Sequence, residues 1–265
     1  MMRFRWFAFA VLWMAAGLGA GGAEAAAQGL KLSDRYSPLN QKRPVRPETR
    51  YIILHTTEGS LEGSLEKIRR YGEAQYFVTP QGEVYRIIDR GRIATHAGRS
   101  MWQGRSTIDH SSIGIEVVGS HDRDITAAQY TALRELVRQL KGLYRIPDEN
   151  ILTHSMVAYG LPNRFHPKNH RGRKRCGMIF AHPEVRRRLG LSPGPARDPD
   201  VTAGRLVVAD PELHRYLYPS PAVLSASAGS PRPQGLSVER QEDPLVLAKG
   251  VNAWRIAREK YDDPA

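Results

Sequence analysis

Tyr51-Ile52-Ile53-Leu54-His55-Thr56-Thr57 is the stretch that decides the fold. Its four leading residues are apolar and mostly β-favouring, without the alternation of a half-solvated strand. Such a run suits a strand buried on both faces, as in the middle of an α/β sheet. It also delivers a histidine to the strand's end. Asn150-Ile151-Leu152-Thr153 reads as a second, shorter strand that ends in the same way, at His154.

Between these two strands the pattern alternates between strand and helix. Residues 60–71 place Leu61, Leu65 and Ile68 on one face of a short helix. Gln75-Tyr76-Phe77-Val78 and Glu83-Val84-Tyr85-Arg86-Ile87-Ile88 flank Thr79-Pro80-Gln81-Gly82 and read as two strands joined by a turn. A further strand is expected from Ser112 to Val118. Thr126 and Gln129 have capping-box spacing, and Tyr130, Leu133, Val137, Leu140 and Tyr144 then recur at helical spacing, so a helix is expected to pack on the sheet. Pro183 to Leu189 suits a last helix. The expected fold is α/β, a central mixed sheet flanked by helices, within a domain at 49–191.

The flanks differ in character. Residues 1–27 begin with Arg3 and Arg5, continue through an apolar run from Trp6 to about Ala20, and end in small residues with two A-x-A patterns. That is the order of a signal peptide, and the apolar run is shorter than the roughly 20 residues that span a bilayer. The chain is therefore expected to be exported, periplasmic or extracellular, with no stable membrane insertion after cleavage. Residues 28–48 read as a polar linker, and 192–244 as a Pro/Ser/Ala-rich linker and partly disordered tail unable to bury a core. Residues 245–265 regain an amphipathic run around Trp254. It reads as a docking helix, or resembles the opening half of a LysM module.

A net charge of +12 favours anionic partners. No nucleic-acid-reading motif accompanies that charge, and the export signal argues against such a partner. The single cysteine, Cys176, has no intramolecular disulfide partner, and its polar neighbours Lys174, Arg175 and Gly177 fit a buried apolar role poorly. Two strand-end histidines and one cysteine make three donors. Three protein ligands with one open position is the arrangement of a catalytic zinc site. Composition alone leaves many triples open, since the chain holds nine histidines. Cysteine-nucleophile hydrolysis by Cys176 with His154 uses the same residues.

Four segments resemble, in order and spacing, the N-acetylmuramoyl-L-alanine amidase family with its phage lysozyme and peptidoglycan-recognition relatives. They are Ile52-Ile53-Leu54-His55-Thr56-Thr57; Ala74-Gln75-Tyr76-Phe77-Val78 with Gln81-Gly82; and His96-Ala97-Gly98-Arg99-Ser100 with Trp102, Gly104 and Ser112-Ile113-Gly114-Ile115-Glu116. The fourth is Ile151-Leu152-Thr153-His154-Ser155 followed by Gly172-Arg173-Lys174-Arg175-Cys176-Gly177. The resemblance covers about residues 49–190. It implies one zinc ion on His55, His154 and Cys176, with Glu116 as general base and then acid. Lys174 would place its charge near the developing oxyanion, and His96, Trp102 and Tyr76 are the candidate substrate contacts. The implied reaction is hydrolysis of the amide between N-acetylmuramic acid and L-alanine in peptidoglycan or muropeptides, by a monomer.

Two departures from the family accompany the resemblance. Many bacterial members carry aspartate where this chain has Cys176. The branch that carries cysteine usually has a catalytic tyrosine near the position of Ala74, where Tyr76 could substitute only by a register shift, so Glu116 is favoured. Cys176 follows His154 by 22 positions, and His166 and His170 inside that gap are rival ligands. The alternative function is non-catalytic peptidoglycan binding on the same fold. Relatives of that kind tend to lose the cysteine, which this chain retains.

Overall fold

The structure, a computed structural model, describes residues 30–219. The expected signal peptide at 1–27 and C-terminal segment at 245–265 lie outside the described residues. In chain order the strands are β1 (Leu32–Asp34), β2 (Tyr51–Thr56), β3 (Tyr76–Val78), β4 (Val84–Arg86), β5 (Met101–Trp102), β6 (Arg105–Ser106), β7 (Ser112–Val117), β8 (Ile151–Thr153), β9 (His170–Arg171) and β10 (Val207–Val208). The helices are α1 (Leu61–Tyr71), α2 (Ala127–Tyr144), α3 (His154–Val157), α4 (Pro183–Arg188), α5 (Pro199–Thr202) and α6 (Pro211–Leu217). No helix among the described residues is long and apolar enough to cross a membrane.

Six strands form the central sheet in the order β1-β4-β3-β7-β2-β8. Only β3 and β4 pair antiparallel; the other four pairings are parallel, so the sheet is mixed, as expected, and the apolar β2 lies inside it between two parallel neighbours. Every residue of β2 is buried. Side chains alternate across a strand, so each strand serves two layers. Ile52 and Leu54 of β2 join Ile113, Ile115 and Val117 of β7 in the core beneath α2. Tyr51 and Ile53 pack on the opposite side with Trp102, Met156 and Leu213.

Helix α2 forms because Leu133, Leu136, Val137 and Leu140 make one apolar stripe, and all four are buried. Thr126 accepts the Gln129 N–H while the Gln129 side chain accepts the Thr126 N–H, a complete capping box worth about 1 kcal/mol. The helix stops at Arg145, whose φ of 54° is left-handed.

Two segments depart from their reading as linkers. Residues 32–34 form β1, an edge strand parallel to β4, although all three residues are exposed. An edge strand wet on both faces needs no apolar alternation, and its backbone bonds to β4 hold it. Residues 192–218 fold onto the domain as α5, β10 and α6. Their anchor is polar and distant in sequence, because the buried Arg171 guanidinium meets Asp198 at 2.6 Å and Asp200 at 3.1 Å. Arg171 also donates to the carbonyls of Val157, Ala158 and Met101, which leaves the buried charges well satisfied. Leu206, Leu213 and Leu217 are buried alongside.

Candidate metal centre

The sheet's pleat decides which residues can meet. Register places His55 opposite Glu116 on the neighbouring parallel strand. Ser112, Gly114 and Glu116 therefore share the face of Tyr51, Ile53 and His55, away from α2. His55 Nδ1 lies 3.6 Å from Glu116 Oε1. His154 arrives from the next strand, where the Thr153 hydroxyl caps α3 by accepting the Met156 N–H and so ends β8 at that residue. The His55 and His154 rings stand 4.6 Å apart.

Cys176 comes from a loop that is clamped to β2 and to the first turn of α3. The Ser155 N–H donates to the Cys176 carbonyl at 3.1 Å, and the Gly177 N–H donates to Thr56 Oγ1 at 2.8 Å. Gly177 adopts a left-handed φ of 72°, and a Cβ there would stand 2.2 Å from the Leu54 carbonyl oxygen. Only glycine lets the loop lie this close to β2. The Thr56 hydroxyl in turn donates to Glu58, whose other oxygen lies 2.9 Å from His121 Nδ1.

The donor atoms of His55, His154 and Cys176 all lie within 4.8 Å of one another, the three-donor group among the described residues that could hold a metal ion. Cys176 Sγ and His55 Nδ1 are 3.6 Å apart. Adjacent ligands of tetrahedral zinc with Zn–N near 2.1 Å and Zn–S near 2.3 Å stand about 3.5 Å apart. His154 Nε2 is buried without a hydrogen-bond partner in the protein, which suits a metal ligand and little else. The donors fit zinc.

The electrostatics agree with that fit. Burial, the neighbouring imidazoles and nearby cations keep both histidines neutral; His55 lies well below its ordinary value, and His154 is lowered to about 3 by burial and the Lys174 charge. Neutral imidazole is the form that binds metal. Burial and the Glu116 and Glu58 carboxylates push the Cys176 thiol well above its ordinary value. A nucleophilic cysteine needs the opposite shift, whereas a cation among these donors would favour the thiolate outright. Glu116 is raised to about 8, chiefly by burial and then by Glu73, and its Oε2 is buried without a partner.

The remaining expected site residues are dispersed. Lys174 is partly exposed, and its charge acts on both His154 and Cys176. The His166 and His170 rings lie 4.5 Å apart and tilted, outside the cluster; His170 belongs to β9, beside β10. Tyr76 pairs with Ile115, not Glu116, so the pleat turns it to the α2 face, where it is 3% exposed. Trp102 is 2% exposed within the second core layer. The His96 side chain is fully buried, with Nδ1 3.1 Å from His55 Nε2. None of these three offers a surface to a substrate.

Comparison with known proteins gives a consistent family. A family model described as N-acetylmuramoyl-L-alanine amidase matches residues 43–176. The chain is similar to N-acetylmuramoyl-L-alanine amidase AmiD of Escherichia coli (strain K12), 24% identical over 175 residues, which cover 60% of this chain and 62% of that protein. It is also similar to 1,6-anhydro-N-acetylmuramyl-L-alanine amidase AmpD of Enterobacter cloacae, 38% identical over 85 residues, which cover 32% of this chain and 46% of that protein. The chain thus spans less than two thirds of the length of either relative. Among solved structures, AmpDh3 from Pseudomonas aeruginosa aligns with a TM-score of 0.43 at 21% identity, over 68% of this chain and 72% of that one.

Proposed function

Because the family model matches about half of its length, the chain belongs to the N-acetylmuramoyl-L-alanine amidase family, and from that premise we propose that it hydrolyses the amide between N-acetylmuramic acid and L-alanine in peptidoglycan or its muropeptides. The observation that carries the proposal is the convergence of two imidazoles and one thiol beside the largely buried carboxyl group of Glu116, where β2, β7 and β8 end. His55, His154 and Cys176 are the residues that would hold a zinc ion. Bound there, zinc supplies a Lewis acid for the scissile carbonyl and acidifies water.

The remaining steps fall to the protein's own groups. Glu116 is raised to about 8 without a cation beside it, and a cation held by the cluster would favour its carboxylate form; as carboxylate it accepts the proton of the attacking water and returns it to the leaving alanine nitrogen, the transfer that amide hydrolysis requires. Its unpartnered Oε2 is the atom available for that work. Lys174 sets a positive charge toward the oxygen that becomes negative in the tetrahedral intermediate. Burial around the cluster strengthens each of these interactions. Export belongs to the same proposal and is supported by the basic, then apolar, then small-residue order of residues 1–27.

Incubation of the purified protein with peptidoglycan or muropeptides, followed by mass spectrometry, tests this reading. Stem peptides with a free N-terminal alanine, no longer released after chelation, are expected. Binding to peptidoglycan without release would overturn it in favour of a non-catalytic role.

A further inference from the structure

A neutral imidazole carries one N–H and one lone pair, and only the lone pair can bind a metal. In His55, Nδ1 faces the cluster, 3.6 Å from Cys176 Sγ, while Nε2 faces His96 Nδ1 at 3.1 Å. Two imidazole nitrogens at hydrogen-bond distance share one proton. The polarity of His96 therefore decides which nitrogen of His55 is left bare.

Two contacts orient His96. The Ser112 hydroxyl donates its single proton to the Ile108 carbonyl at 2.7 Å, so its oxygen meets His96 Nε2, 3.1 Å away, as an acceptor. Asp109 Oδ1 lies 3.6 Å from the same Nε2 and is held by the backbone N–H groups of His96 and Ala97 at 3.0 and 2.8 Å. A carboxylate and an accepting hydroxyl both favour N–H on Nε2. The lone pair of His96 then sits on Nδ1. Packing locks the ring in place, since a Cβ on Gly114 would stand 2.4 Å from His96 Cγ.

We propose that His96 is a positioning residue that fixes the tautomer of His55, through a directed chain in which His55 Nε2–H donates to His96 Nδ1 and His96 Nε2–H donates to Ser112 Oγ. The chain holds the His55 proton away from the cluster and leaves Nδ1 bare toward Cys176. The opposite polarity would put a proton on Nδ1, between the thiol and Glu116, and would close the site to a metal. Outer partners of this kind set ligand orientation and basicity in metal sites generally. This inference rests on the metal-binding reading above.

Long-range proton–nitrogen NMR of the histidine-labelled full chain, with and without zinc, tests it directly. The expected result is N–H on Nε2 of both His55 and His96 in either state, with zinc perturbing His55 at Nδ1. N–H on Nδ1 of either ring would overturn it. In parallel, His96→Ala is expected to weaken zinc, measured by competition with a chelator, by roughly 10- to 100-fold. His96→Asn, whose amide oxygen can replace Nδ1 as acceptor, should recover most of that loss. Ser112→Ala, remote from the cluster, should give a smaller loss and a mixed His96 tautomer, and it serves if His96→Ala fails to fold. Unchanged zinc affinity in both Ala variants would also overturn the proposal. A chain that neither binds zinc nor releases stem peptide would sink the functional reading instead, while the tautomers read on the metal-free protein still decide this one.

Discussion

The two faces of β2 and β7 belong to the same strands and differ in almost every other respect. Beneath α2 the strands present Ile52, Leu54, Ile113, Ile115 and Val117, an apolar layer without chemistry. On the other face Tyr51 and Ile53 pack into a second apolar layer, and the same strands also present His55, Ser112, Gly114 and Glu116. One face supplies stability through burial. The other spends its positions on buried polar groups that burial disfavours, and it is tolerated because hydrogen bonds or a metal can satisfy them. Substitutions on the two faces should therefore fail in opposite ways.

On the site face, Cys176→Ala should lower amidase turnover to the uncatalysed blank, while the unfolding free energy of the metal-free protein changes by no more than about 1 kcal/mol. Turnover with denaturation of the chelated protein checks both halves. Glu116→Gln should reduce kcat by about 10²- to 10⁴-fold while zinc is retained. Loss of zinc together with activity in that variant would reassign Glu116 to holding the site rather than to moving protons. On the α2 face, Leu136→Ala should cost about 2–5 kcal/mol in urea unfolding, with kcat per folded molecule unchanged. Smallest is Thr126→Ala, which removes half of the α2 capping box and should cost about 1 kcal/mol with no kinetic effect.

The apolar face was the more readable of the two. The β2 run, the α2 stripe and the Thr126–Gln129 cap are local patterns, and each forms where its spacing predicts. The strand-end histidines could be found because an apolar run ended in each, and the structure brings Cys176 to them across a long gap. Register could not be read in the same way. Whether Tyr76 shares a face with the site depends on its pairing with Ile115, a relation between strands distant in sequence. His96 reads in the sequence as a loop residue open to substrate, and only its packing against Gly114 and its bond to His55 place it behind the candidate ligands. Strand β1 lacks any apolar signal because both its faces are wet, and residues 192–218 owe their order to Arg171 and two aspartates. That polar anchor has no periodicity to detect.

Metal analysis of the purified full chain beside His154→Ala, with stem-peptide release measured on both, tests the central claim most directly. About one zinc per wild-type chain is predicted, with none in the variant and release that disappears on chelation and returns with added zinc. A wild-type chain without zinc, or release that survives chelation, would contradict it.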